Sequence, residues 1–158
     1  MGPRVIFLAL CCVASVLAQR SETATLVLTV PPESRLTPAQ VTLNFVVSAD
    51  GSSDVTSQTQ TVVAWVRALP GQPIRVTAGA SGTVPLSALQ WSGSAAGATG
   101  GGQQATCANG SFAGGATQDL VSSWTRSGTI SCAISFSLAA PRSLPPGDYT
   151  AVIRLAIR

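Results

Sequence analysis

Residues 130–138 of the chain read ISCAISFSL, so that apolar and small side chains alternate without interruption. The apolar positions are Ile130, Cys132, Ile134, Phe136 and Leu138. Successive side chains of a β-strand point to opposite faces of a sheet, so a period of two predicts a strand with one face in a core. This segment is the strongest strand signal in the sequence.

The same alternation recurs along the chain. It predicts further strands at residues 24–30, 41–47, 59–68, 74–78, 120–126 and 149–157. In the middle of segment 59–68 the side chains on both faces are apolar, which predicts a central strand. Residues 74–78 are predicted to return beside it and form a hairpin. No segment shows a helical period of 3.6 residues. We therefore predict an all-β fold, an antiparallel immunoglobulin-like β-sandwich of seven or eight strands.

One part of the sequence lacks the strand pattern. Residues 92–118 hold few bulky apolar side chains and contain Gly100-Gly101-Gly102 and Gly114-Gly115. Such a segment cannot bury enough apolar surface to build its own core. We predict that residues 92–118 form a long Gly-rich surface loop, with one short strand near Cys107.

The N-terminus has the features of an export signal. Arg4 precedes a 13-residue apolar stretch, and the small residue Ala18 ends the segment. This predicts a signal peptide at residues 1–18 and one mature domain at residues 19–158. An uncleaved membrane anchor is the alternative, but the apolar stretch is shorter than the roughly 20 residues that a bilayer requires. We expect a secreted, periplasmic or cell-surface protein without a transmembrane segment after cleavage.

Cleavage at Ala18 would leave two cysteines, Cys107 and Cys132. A single pair of cysteines in an exported chain predicts a disulfide, with two buried free thiols as the alternative. Because Cys132 has the apolar parity of its strand, the bridge would fasten the Gly-rich loop to the core. In the chain-entropy model, closing the loop between Cys107 and Cys132 adds about 3 kcal/mol to the free energy of unfolding.

The charged residues limit the possible functions. The segment 19–158 has eight arginines and six acidic residues, and the chain has no lysine and no histidine. A charge this close to zero gives no long-range attraction to nucleic acid. Without histidine or lysine there is no Ser-His-Asp or Cys-His catalysis, no imidazole metal ligand and no Schiff base. We therefore expect no enzyme activity, no cofactor and no metal site.

The three tryptophans, Trp65, Trp91 and Trp124, are the candidate binding residues. An indole on a sheet face can stack on a sugar ring or anchor a protein partner, and the alternative for each is core packing. Trp91 shares its parity with Leu89, which favours the core. The face of Trp65 also carries Arg67, which favours exposure. Trp65 and Trp124 are retained as candidate binding residues.

Two segments resemble known modules. Residues 43–63, from Leu43-Asn44-Phe45 through the Asp50-Gly51 turn to Thr61-Val62-Val63, look like the opening of small immunoglobulin-like modules of exported bacterial proteins. Residues 144–153, LPPGDYTAVI, resemble the last hairpin of such modules and of spore-coat-U-type and other fimbrial subunits. The resemblance implies an exported β-sandwich.

These observations predict a secreted, non-catalytic structural, adhesive or interaction module. One alternative is a fimbrial or filament subunit, in which the strand at residues 23–30 of one copy completes the sheet of the next. Another is a carbohydrate-binding module that uses exposed tryptophans. The expected partners are therefore a protein, a surface glycan or further copies of the same chain.

Overall fold

The computed structural model describes residues 32–50, 58–69 and 71–158. The predicted signal peptide and the predicted strand at residues 24–30 lie outside these ranges. Within them the chain forms nine strands: β1 (Glu33–Thr37), β2 (Gln40–Val47), β3 (Gln58–Arg67), β4 (Ile74–Gly82), β5 (Leu89–Gly100), β6 (Gly110–Ser111), β7 (Thr117–Trp124), β8 (Gly128–Leu138) and β9 (Gly147–Ile157). The helical segments in this part are four 3-10 turns of three or four residues.

The strands form two antiparallel sheets. Sheet A has the order β1-β3-β8-β5-β6 and sheet B the order β2-β9-β4-β7. The alternation that defines β2, β8 and β9 in the sequence sends every second side chain into one core between the sheets. The largest fully buried side chains include Trp124, Phe45, Phe112, Phe136 and Leu43. The predicted all-β sandwich is confirmed, with nine described strands where seven or eight were expected.

The predicted hairpin between β3 and β4 is wrong. β3 pairs with β1 and β8 in sheet A, whereas β4 pairs with β7 and β9 in sheet B. Both strands are apolar enough to lie inside a sheet, and each finds its partners far away in sequence. The connection between them therefore passes from one sheet to the other.

The predicted loop at residues 92–118 is also corrected. Its first third belongs to β5, which pairs with β8 from Leu89↔Leu138 to Gly100↔Gly128. Backbone hydrogen bonding to a long neighbour holds this segment, so it does not need bulky side chains of its own. A Cβ at Gly93 would lie 2.7 Å from the carbonyl oxygen of Ala108, so a small residue also leaves room for the next segment of chain. The short strand expected near Cys107 is present as β6.

The disulfide between Cys107 and Cys132 is present, with the Cα atoms 5.8 Å apart. Cys132 lies on β8 and is fully buried. Cys107 forms an isolated bridge with Val121 of β7. The covalent link therefore joins sheet A to a segment that runs beside the edge of sheet B, as the inward parity of Cys132 predicted.

β1 is the strand that the sequence did not predict. Its sequence, ESRLT, has one bulky apolar residue, Leu36, which is half-buried. β1 pairs with the second half of β3, in a register that sets Glu33 opposite Arg67 and Arg35 opposite Trp65. This register places residues about 30 positions apart in sequence next to each other on the outer face of sheet A.

Candidate binding surface around Trp65

Trp65 lies on the outer face of sheet A. On β3 the side chains of Val62, Ala64 and Val66 enter the core, and the alternation turns Trp65 outward, where it is half-buried. An outward indole gains little from core packing. Its flat apolar ring remains partly accessible at the surface.

The other two tryptophans are core residues. Trp91 is 5% exposed and packs against Phe112, with the ring centroids 4.9 Å apart. Trp124 is 1% exposed, so its selection as a binding residue is not supported by its position. It lies opposite Ile74, beyond an irregularity in the β4–β7 register, and this places its indole between the sheets. Trp65 is the one candidate tryptophan at the surface.

Two arginines flank Trp65. The guanidinium carbon of Arg35 lies 5.8 Å from the centre of the indole ring, and that of Arg67 lies 5.6 Å from it. Both distances fall within the range of a cation–π contact. Together with Glu33 these residues line an open cleft of about 390 Å³, and we call Glu33, Arg35, Trp65 and Arg67 the Trp65 cluster. Its volume falls in the range of ligand pockets, roughly 300–1,000 Å³.

The charges of the Trp65 cluster do not cancel. Glu33 accepts hydrogen bonds through Oε1 from Nε and Nη2 of Arg35, at 3.1 and 2.9 Å. The two side chains are 44% and 75% exposed, so this ion pair contributes little to stability and can exchange partners. Arg67 has no acidic partner among the residues that the structure describes. The cluster therefore carries one positive charge in excess.

Serine and threonine side chains cover the outer face of sheet A next to Trp65. Thr129 of β8 lies directly opposite Trp65, and Ser135 lies opposite both Thr59 of β3 and Ser92 of β5. Thr59 Oγ1 and Ser135 Oγ are 2.6 Å apart, and Gln90 donates from Nε2 to Ser137 Oγ at 3.2 Å. We call this area the hydroxyl face; it comprises Thr59, Thr61, Ser92, Ser94, Thr129, Ser131, Ser135 and Ser137. Neither β5 nor β8 contains a charged residue.

Sequence reasoning found part of this surface. It identified Trp65 and noted Arg67 on the same face, because residues two apart on a strand share a face. It missed Glu33 and Arg35, since the short polar segment that carries them gave no strand signal. The alternation in residues 130–138 predicts only that the serines of β8 lie opposite its core face, and the sheet order shows that they continue the surface that begins at Trp65.

In the described ranges, no three His, Cys, Asp or Glu side chains come close enough together to hold a metal ion. The same residues form no helix with the length and apolarity needed to cross a membrane. Comparison with known protein families, with characterised proteins and with solved structures found no match to this chain.

Proposed function

We propose that this protein is an exported, non-catalytic adhesion module that binds a glycan across the outer face of sheet A. The observation that carries the proposal is the half-buried Trp65, set between two arginines at the end of the hydroxyl face. The disulfide supports export, because disulfides persist in oxidising compartments outside the cytoplasm.

The chemistry of this face favours a sugar over a protein partner. The apolar face of a pyranose stacks on an indole, and sugar hydroxyls exchange hydrogen bonds with serine and threonine side chains. A protein interface of ordinary affinity has a contiguous apolar centre with aromatic anchors. On this face Trp65 and the half-buried Val63 are the bulky apolar side chains, and small hydroxyl residues surround them.

Retention of the mature protein, residues 19–158, on a panel of immobilised polysaccharides tests the proposal. We expect Trp65→Ala to abolish retention, because it removes the stacking surface, and Trp65→Phe to restore part of it. Val46→Ala is the matched control, since Val46 is 52% exposed in β2, at the edge of sheet B. Equal retention of wild type and Trp65→Ala would contradict the proposal.

A specific observation also supports the second candidate, a subunit that assembles by strand addition. Among the strands that the structure describes, β2 lies at an edge of sheet B, and its eight residues, QVTLNFVV, include no charged residue and no proline that would block a further strand. On its open side, the carbonyl of Asn44 accepts a hydrogen bond from Gln58 Nε2 at 3.1 Å. A donated strand from a second copy would pair along this edge. Sedimentation over a wide concentration range tests this function: growth into long polymers supports it, and a constant monomer contradicts it.

A further inference from the structure

The Trp65 cluster also indicates the chemical class of the glycan. Arg67 donates no hydrogen bond to a carboxylate among the described residues, and its guanidinium carbon lies 5.6 Å from the indole centre of Trp65. A guanidinium offers a planar pair of N–H donors that matches a carboxylate. A sugar ring stacked on Trp65 would therefore place its ring substituents within reach of an unpaired donor pair.

The arginines of the molecule are concentrated at the end that holds Trp65. Arg67 ends β3, Arg126 precedes β8, and Arg75 and Arg158 bond to each other through their backbones at 2.7 and 2.9 Å. With Arg35, five of the seven arginines in the described ranges lie at this end. Two of the described acidic residues lie at this end: Glu33, which is bound to Arg35, and Asp119, whose Oδ2 lies 3.4 Å from Nη1 of Arg75. This end is therefore cationic, with five arginines against two acidic side chains among the described residues, in a chain whose formal net charge is +3.

The cationic surface continues past the Trp65 cluster. Arg67 also borders a second cleft, of about 220 Å³, whose other lining residues include Val66 and Arg158. A polymer that crosses Trp65 can thus meet a second arginine beyond Arg67. A single acidic monosaccharide would contact one of these arginines, whereas an acidic polymer would contact several of them at once.

We propose that the ligand is an acidic polysaccharide, with one sugar ring stacked on Trp65 and its carboxylate held by Arg67. Arg35, whose guanidinium carbon lies 5.8 Å from the indole centre, flanks the same ring from β1. The inference rests on the proposed function and adds the requirement for negative charge. It predicts that binding weakens as salt screens the exposed charges.

The test compares two polymers with the same backbone, polygalacturonate and its fully methyl-esterified form. We expect the mature protein to bind polygalacturonate at least tenfold more tightly, because esterification removes the carboxylates that Arg67 recognises. Arg67→Gln should weaken binding to polygalacturonate about tenfold. Arg142→Gln is the matched control: it removes the same charge from the short turn Pro141–Ser143 that precedes β9, and it should leave binding unchanged.

The possible results separate the inference from the proposed function. If the esterified polymer binds equally well and Trp65→Ala abolishes that binding, the acidic ligand is wrong and the glycan-binding function stands. If neither polygalacturonate nor its esterified form binds, the inference of an acidic polysaccharide ligand is also wrong. If dextran sulfate and polygalacturonate bind alike and Trp65→Ala changes neither, the attraction is a general effect of charge, and both proposals fail. Thermal unfolding of each variant checks that it is folded.

Discussion

At the scale of single residues, two glycines of β5, Gly93 and Gly97, have different surroundings. A Cβ at Gly93 would lie 2.7 Å from the oxygen of Ala108 and 3.1 Å from Cβ of Cys107, whereas a Cβ at Gly97 would meet nothing within 4 Å. We expect Gly93→Ala to lower the free energy of unfolding by about 1–3 kcal/mol, the usual cost of overpacking. Gly97→Ala, in the same strand, should be neutral or stabilising by up to about 1 kcal/mol. Urea denaturation of the two variants measures the difference, and equal effects would contradict the packing described for Gly93.

The cysteine pair gives a second prediction at this scale. Reducing the bond between Cys107 and Cys132 should lower stability by about 3 kcal/mol, since the closed loop no longer restricts the unfolded chain. Cys107→Ala and Cys132→Ala should each reproduce most of that loss, the second with an added cost because Cys132 is fully buried. Thermal unfolding with and without reductant provides the measurement. A wild-type melting temperature that does not change with reductant would show that the bridge does not stabilise the fold.

At the scale of elements, the sequence pattern identifies strands whose side chains supply the core and misses strands that the backbone holds. β8 and β9 alternate along their whole length, so their existence and inward faces could be predicted. β5 continues to Gly100 with mostly exposed small residues, and pairing with β8 stabilises it. β1 is held by its ladder with β3. Sheet order depends on contacts between distant segments, so the contact of Arg35 with Trp65 could not be read from local spacing.

The edge of β2 that no described strand covers gives a prediction for an element. Asn44 turns its carbonyl to the open side, and the antiparallel alternation turns the backbone of Thr42 to that side as well. Thr42→Pro therefore keeps the ladder with β9 and removes an N–H group that an added strand would use. If the protein assembles through this edge, Thr42→Pro should sediment as a monomer at concentrations where wild type polymerises. Polymers of unchanged size in the variant would place the assembly contact elsewhere.

At the scale of the whole molecule, the core and the proposed binding surface occupy opposite faces of the same strands. β3 and β8 send Val62, Ile130 and Ile134 into the sandwich and turn Trp65 and Thr129 outward. The binding side chains therefore stand on paired strands, which hold them more rigidly than a loop would. We expect substitutions on the outer face to change binding with little loss of stability, and substitutions of the inward residues to do the reverse.

The indole N–H resonances of the three tryptophans test the central claim most directly. Trp91 and Trp124 are buried, and Trp65 lies in the proposed site, so a titration of the ¹⁵N-labelled mature protein reports on the site and on the core together. With trigalacturonate as the probe, we expect the indole signal of Trp65 to shift progressively, along with the backbone amides of Arg35 and Thr129, while the signals of Trp91 and Trp124 stay in place. Saturable shifts confined to β2 and β9, with the Trp65 indole unmoved, would contradict the account.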